Sequence, residues 1–282
     1  MQVHKFDFDH SKCKDFYFLL ASDIHKDSEG FDEKRLRADF DEIKKLNGRI
    51  FINGDNVNAI VKSDSKRYVK SGDKYANDGI LNCITEELTD FYSEWVNYID
   101  VIGIGNHEAT IIKYHDYDII RQVIINLNKL RDKKLQPIRH GGYSGFIRLS
   151  FHAAKKTSCV YTYDIFYNHG QGGGAEVTKG MIGLQRRQYV IADLIWLGHT
   201  HTAIQDNDMH MIYLDRNASI KERGRRGLIT GTYKKALREY DIQETGYLSS
   251  YGIEKMRAPE SNGGAILHIK YFDQALHPRI IS

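Results

Sequence analysis

The stretch "DFYFLLASDIH", residues 15–25, joins an apolar run to a carboxylate and an imidazole. The run from Phe16 to Ala21 is typical of a strand buried on both faces, and it leads directly to Asp23 and His25. The stretches "RIFINGDN", residues 49–56, and "VIGIGNHE", residues 101–108, repeat this arrangement. The sequence therefore predicts three buried strands that each end in polar side chains.

Helical patterns separate these three strands. Apolar residues recur at helical spacing between Leu36 and Leu46, from about Glu86 to Tyr98, and between Ile119 and Leu127. Strand and helix in alternation predict a mostly parallel sheet covered by helices, whose ligand site lies beyond the carboxyl ends of the strands. Residues 61–80 carry many charges and no apolar period, so we predict an exposed loop or lid there.

After about Tyr143 the pattern changes to successive strands, interrupted by one predicted helix near Thr178 to Val190. A second sheet packed on the first accounts for this change. We therefore predict the α/β class, with two packed mixed sheets flanked by helices. We expect one domain over residues 1–282, in which strands within 205–282 complete the second sheet.

Composition favours a globular protein of a reducing compartment. The chain has 282 residues, 41% of them hydrophobic, and a net charge of +3, which does not by itself indicate a nucleic-acid partner. Its three cysteines, Cys13, Cys83 and Cys159, form no C-x-x-C pair and no even set for disulfides. The sequence shows neither a signal-peptide pattern nor a membrane span, so we expect a cytoplasmic protein without membrane association.

Polar strand ends supply a set of potential metal ligands. Oxygen and nitrogen ligands without thiolate suit Mn, Fe, Zn or Co. In an extended segment, residues i and i+2 point the same way, so a D-x-H or H-x-H motif can present two ligands together. Each motif alone is common in turns, but the full set at strand ends predicts a two-metal site. The candidates are Asp23, His25, Asp55, Asn106, His169, His199 and His201.

This set of motifs, from Asp23 to His201, resembles the calcineurin-like metallophosphoesterase superfamily. The resemblance implies a four-layer sandwich fold and two divalent ions, with manganese first and Fe, Zn or Co as options. One ion would be held by Asp23, His25 and His201, and the other by Asn106, His169 and His199, with Asp55 between them.

The same resemblance implies that His107 is the catalytic histidine beside the scissile phosphate and is not a ligand. A metal-bridged hydroxide would attack phosphorus, and His107 would aid the leaving group. Glu108 is a candidate to orient His107 or a ligand histidine, with a solvated turn residue as the alternative.

The sequence indicates the substrate less precisely than it indicates the metal site. The serine/threonine phosphatases of this superfamily carry G-D-x-V-D-R-G, whereas this chain has "GDNVNAI", which disfavours a phosphoprotein substrate. The basic run "KERGRRG", residues 221–227, is a candidate contact for DNA or RNA phosphates if it borders the cleft, and a solvated loop otherwise.

Three hypotheses remain open. The first is a phosphodiesterase, similar to a nuclease, that acts on nucleic acid or nucleotides. The second is a phosphomonoesterase or a small-molecule phosphodiesterase. The third is an inactive, metal-binding interaction module. Protein partners are not indicated by the sequence.

Overall fold

The computed structural model describes residues 1–28, 30–59, 79–153, 160–172, 178, 180–187, 189–235 and 263–281. The strands are β1 (Gln2–Asp9), β2 (Asp15–Ala21), β3 (Arg49–Ile52), β4 (Ile99–Gly103), β5 (Arg139–Gly142), β6 (Ser144–His152), β7 (Tyr161–Asn168), β8 (Leu194–Leu197), β9 (Ile204–Leu214), β10 (Ile220–Ile229), β11 (Ala265–Phe272) and β12 (Ala275–Ile281). The helices are α1 (Glu33–Lys45), α2 (Ile80–Ser93), α3 (Asn106–His115), α4 (Ile119–Leu130) and α5 (Met181–Gln185).

The first sheet has the order β12-β11-β2-β3-β4-β5, in which β2 to β5 run parallel. Helices α1, α2 and α4 follow the strands and cover one face of this sheet. α1 begins where the Asp32 side chain caps it by accepting a hydrogen bond from the Arg35 backbone N–H at 3.1 Å. The parallel arrangement places the ends of β2, β3 and β4 at one edge, as the sequence predicts.

The second sheet has the order β1-β6-β7-β8-β10-β9. β1, which the sequence pattern did not indicate, pairs parallel with β6. The expectation that strands within 205–282 complete the second sheet holds only for β9 and β10. β11 and β12 instead extend the first sheet, because β11 pairs antiparallel with β2.

The core lies in layers on both faces of the first sheet. Phe18 and Leu20 of β2 face the second sheet and pack with Phe51 and Phe151, whereas Leu19 faces the helices. β2 is thus buried on both faces, which explains its continuous apolar sequence. Burying each large apolar side chain contributes about 1.5–3 kcal/mol.

Leu184 of α5 packs on the outer face of the second sheet and completes four layers, so the predicted class of two packed mixed sheets flanked by helices is confirmed.

Two helix predictions need correction, and one helix was not predicted. α2 spans Ile80–Ser93 and not 86–98, although the predicted apolar face is buried. α5 is much shorter than the helix predicted near 178–190. α3 was not predicted, because its first turn carries the polar residues that read as a strand end.

The loop or lid predicted at 61–80 lies outside the described residues, except at its end, where α2 begins. No helix among the described residues is long and apolar enough to cross a membrane.

Candidate metal centre

The candidate ligands come together at the carboxyl ends of both sheets. Asp23 and His25 follow β2, and Asp55 follows β3, while Asn106 opens α3 just after β4. The other candidates come from the second sheet, where His169 follows β7 and His199 and His201 follow β8. One set consists of Asp23, His25 and His201, and another of Asp55, His169 and His199.

Within each set, the possible ligand atoms lie within 4.8 Å of one another. In the first set, Nε2 of His201 lies 3.2 Å from Nε2 of His25 and 3.3 Å from Oδ1 of Asp23. In the second set, Nε2 of His169 lies 3.1 Å from Oδ2 of Asp55. Nε2 of His169 also lies 3.9 Å from Oδ1 of Asp23, which brings the two sets side by side.

A left-handed backbone directs most of these side chains. Five candidate ligands have positive φ without being glycine, a conformation that costs roughly 1–3 kcal/mol for each residue. They are Asp23, His25, Asp55, His199 and His201. The expectation that the D-x-H and H-x-H motifs present their ligands from extended segments is therefore wrong. The chain turns sharply at these five residues, which strand geometry alone does not predict.

Backbone hydrogen bonds between the loops hold these turns. The backbone N–H of Asp23 donates to Gly54 O at 3.1 Å, and that of His25 donates to Asp55 O at 3.0 Å. Oδ2 of Asp23 accepts a hydrogen bond from the backbone N–H of His199 at 2.9 Å and so ties the first sheet to the second. The relative positions of the two ligand sets therefore follow from backbone contacts.

Glu108 is buried and organises the loop after β3. Its carboxylate accepts hydrogen bonds from the backbone N–H groups of Gly105 at 2.8 Å, Asp55 at 3.1 Å, Asn56 at 2.6 Å and Val57 at 3.2 Å. No hydrogen bond from a histidine side chain to Glu108 is found among the described residues. Both expectations for Glu108, a histidine partner or a solvated turn residue, are therefore wrong. It fixes the backbone that carries Asp55.

Two glycines permit this close approach of the loops. Gly54 has a φ of +82°, and a Cβ on it would lie 2.5 Å from the backbone N of Gly105. A Cβ on Gly105 would lie 2.1 Å from Oδ1 of Asp55. A side chain at Gly105 would displace the Asp55 carboxylate, and one at Gly54 would push away the backbone before α3.

His107 lies beside both ligand sets on the first turn of α3. Its ring forms a further group with His25 and Asp55, with possible ligand atoms within 4.8 Å. Nδ1–H of His107 donates to the backbone oxygen of Asn58 at 2.8 Å. This bond leaves Nε2 as the nitrogen available for other contacts.

Several buried polar atoms fit a bound cation. Oδ1 of Asn106 is buried and has no hydrogen-bond partner among the described residues, and Oδ1 of Asp23 and Nε2 of His169 have none there outside the candidate ligands. Nδ1–H of His169 donates to Asn53 O at 2.6 Å, so its Nε2 points into the centre. Because a buried polar atom without a partner costs free energy, these atoms match a site that is completed by metal.

Electrostatic interactions among the ligands shift their pKa values in the metal-free protein. Burial acts to lower the pKa of His169, but the carboxylates of Asp55 and Asp23 raise it to about 10. Burial opposes ionisation of Asp55, but His169 and neighbouring imidazoles hold its pKa below the usual range. Burial lowers the pKa of His25 and of His199. His169 therefore carries a proton at neutral pH in the metal-free protein.

The basic run does not border this centre. Residues 221–227 lie in β10, where Arg226 pairs with Leu194 at the start of β8. Arg223 forms an ion pair with Asp193 at 2.6 Å, and Arg225 is buried and donates to Val190 O at 2.9 Å. Arg223 precedes the end of β10 by six residues, or roughly 20 Å along a strand. The run thus lies at the other end of the sheet from the candidate ligands.

Sequence reasoning missed other residues that support the centre. Oγ of Ser22 donates to Oδ2 of Asp23 at 2.5 Å, and Oγ1 of Thr232 donates to Asp23 O at 2.8 Å. The Asp27 carboxylate accepts the backbone N–H groups of Asn58 and Ala59 at 2.5 and 2.8 Å. The position of Ser22 beside Asp23 was the only signal for any of them, since the other contacts join distant segments.

Comparisons with known proteins assign no family. No protein-family model and no curated protein matches the sequence. Among solved structures, the chain is similar to GAP50, the anchor in the inner membrane complex of Plasmodium, at 13% identity, covering 95% of this chain and 90% of that one, with a TM-score of 0.43.

It is also similar to a metallophosphoesterase from Sphaerobacter thermophilus, at 12% identity with a TM-score of 0.37, over 94% of this chain and 88% of that one. Vacuolar Protein Sorting 29 from Cryptosporidium parvum is similar at 11% identity with a TM-score of 0.32, over 95% and 97% of the two chains. Likenesses this weak carry no argument about function, which therefore rests on the site.

Metal affinity should increase with pH through His169. Because its pKa is about 10 in the metal-free protein, His169 must lose a proton before Nε2 can bind an ion. Apparent affinity at this position should rise up to about tenfold for each pH unit below that pKa. Competition of Mn²⁺ with a chelating dye, across the neutral range, measures this slope. His169→Asn should flatten it, and an equal slope in both proteins would contradict the assignment.

Proposed function

We propose that this protein is a phosphoester hydrolase with a dinuclear metal centre. The observation that carries the proposal is the pair of carboxylate–imidazole sets that meet at Asp55, with buried oxygen and nitrogen atoms directed inward. The motif resemblance to calcineurin-like metallophosphoesterases supports the same function. We propose membership of that superfamily together with the hydrolase activity.

The ligands fall naturally into two groups. Asp23, His25 and His201 would hold one ion. Asn106, His169 and His199 would hold the other. Asp55 would serve both, because its ligand atoms lie near His25 on one side and near His169 on the other. Nitrogen and oxygen ligands fit Mn, Fe, Zn or Co, and manganese is our first choice.

Two divalent ions in this place would act as Lewis acids that polarise a phosphate and activate water. The chain's own groups set the geometry around them. Glu108 fixes the loop that carries Asp55, and the backbone N–H of His107 donates to Oδ1 of Asp55 at 3.1 Å. The second oxygen of Asp55 is thereby left for the centre.

His107 is suited to move a proton at the leaving group. Its Nδ1–H is held by Asn58 O, so a second proton on the imidazolium would sit on Nε2. Its ring centroid lies 5.2 Å from that of His25, beside the ligands but on a separate element. His107 would therefore donate a proton to the oxygen that leaves phosphorus, or stabilise the negative charge on that oxygen as imidazolium.

The substrate class is a phosphoester, with a phosphodiester as our first choice and a phosphomonoester as the alternative. Polynucleotide binding through residues 221–227 gains no support, because Arg223 and Arg225 make structural contacts far from the ligands. An inactive metal-binding module remains the alternative if no ester is turned over.

Asp55→Ala should abolish both metal retention and hydrolysis. Without its carboxylate, two cations would lie together with no shared anion between them. The test is turnover of nitrophenyl mono- and diesters with Mn, Zn, Co or Fe, with metal content measured in parallel. Asp90→Ala, which removes an exposed carboxylate on α2, is the matched control and should change neither. A wild-type protein that binds metal but turns over no ester would refute the hydrolase.

His107→Ala should retain metal but slow hydrolysis. The loss in kcat should be roughly 10²–10⁴-fold for esters with poor leaving groups, which need a proton. It should shrink for nitrophenyl esters, whose leaving group needs little help. His115→Ala, at the other end of α3, should behave as wild type. The same loss for every leaving group would instead assign His107 to substrate binding.

A further inference from the structure

A cavity with cationic side chains lies on the hairpin formed by β11 and β12, at the edge of the first sheet. Its volume is about 310 Å³, and its lining residues are His268, Lys270, Phe272, His277 and Arg279. This volume is at the lower end of the range for small-molecule sites, roughly 300–1,000 Å³. None of these residues belongs to the candidate metal centre.

The strand register places the lining residues on one face of the hairpin. His268 lies opposite Arg279, and Lys270 lies opposite His277, in the antiparallel pairing of the hairpin. Leu267 and Ile269, which alternate with His268 and Lys270, are buried between the sheets.

Two of the lining residues are already fixed by contacts within the fold. Nε2 of His268 lies 2.8 Å from Oδ1 of Asp15, and its ring stacks on Tyr17 with centroids 4.6 Å apart. Nε2–H of His277 donates to Phe272 O at 3.1 Å. These contacts give the cavity a defined wall.

The two permanent cations are not fixed in this way. The side chains of Lys270 and Arg279 have no hydrogen-bond or ion-pair partner within the part of the chain that the structure describes. The Phe272 side chain beside them is 64% exposed, which leaves much of its ring accessible to a ligand. Unpaired cations next to an open aromatic ring match an anionic ligand that also carries a planar group.

The position of the cavity separates it from the metals and from peptide binding. In the backbone pairing of β11 with β2, Lys270 lies opposite Asp15. Asp15 precedes Asp23 by eight residues, or roughly 25 Å in extended chain. Pro278 lies in the middle of the edge strand β12 and has no N–H to donate, so an added peptide strand would pair poorly there. A compact ligand fits better than an extended chain.

We propose that this cavity binds a nucleoside monophosphate, at a site separate from the metal centre. The guanidinium of Arg279 and the ammonium of Lys270 bind the phosphate, since Arg pairs with phosphate through two parallel hydrogen bonds. The base stacks on Phe272, an interaction open to any base because every base has a π face.

The test is calorimetric titration of the full-length chain with adenosine 5′-monophosphate. The buffer contains a chelator, which removes metal ions and so prevents phosphate from binding at the candidate metal centre. A double variant, Lys270→Ala with Arg279→Ala, should weaken binding tenfold or more, because each charge-assisted contact is worth roughly that factor. Phe272→Ala should weaken binding of the nucleotide but not of inorganic phosphate. The control, Arg121→Ala with Lys129→Ala on the exposed face of α4, removes the same charge and should leave affinity within about twofold.

Three results would overturn the proposal. They are the absence of saturable nucleotide binding, equal weakening in both double variants, and inorganic phosphate binding as tightly as the nucleotide. Turnover of a nitrophenyl diester should be the same in wild type and in the Lys270/Arg279 variant. That assay keeps failure of this site distinct from failure of the proposed hydrolase.

Discussion

The carboxylate of Glu108 accepts four backbone N–H groups, and the shape of the candidate metal centre depends on these hydrogen bonds. They hold the loop after β3 against the start of α3 and so fix the direction of Asp55. The same loop accepts the backbone N–H of His25, and Asp23 accepts that of His199. A single buried carboxylate thereby connects the ends of three strands, and its hydrogen bonds help to offset the strained turns.

The candidate centre buries charged side chains, which are costly to bury unless they are paired. Asp23 and Asp55 are buried next to four imidazoles, and burial is the largest single influence on the pKa values of both carboxyl groups. In the metal-free protein, the proton on His169 partly balances them. A divalent cation would balance them better and would satisfy the unpartnered oxygen of Asn106. Electrostatics and hydrogen bonding therefore indicate the same kind of ligand.

The sequence predicted the architecture well where one segment carries its own signal. Buried parallel strands such as β2 show continuous apolar runs, and their polar ends could be read as a site. Features that depend on distant partners could not be read. The buried role of Glu108, the pairing of β11 with β2 and the turning of Arg225 toward Val190 all arise from tertiary contacts. The left-handed turns at the ligands also escaped prediction, because local preference disfavours them.

In the proposed centre, two ions share Asp55 between the two ligand sets. Anomalous diffraction from crystals of the manganese-loaded protein locates such ions. We expect two peaks roughly 3.5–4 Å apart, both in contact with Asp55. One peak should contact Asp23, His25 and His201, and the other Asn106, His169 and His199. A single peak, or two peaks of which neither contacts Asp55, would contradict the proposal.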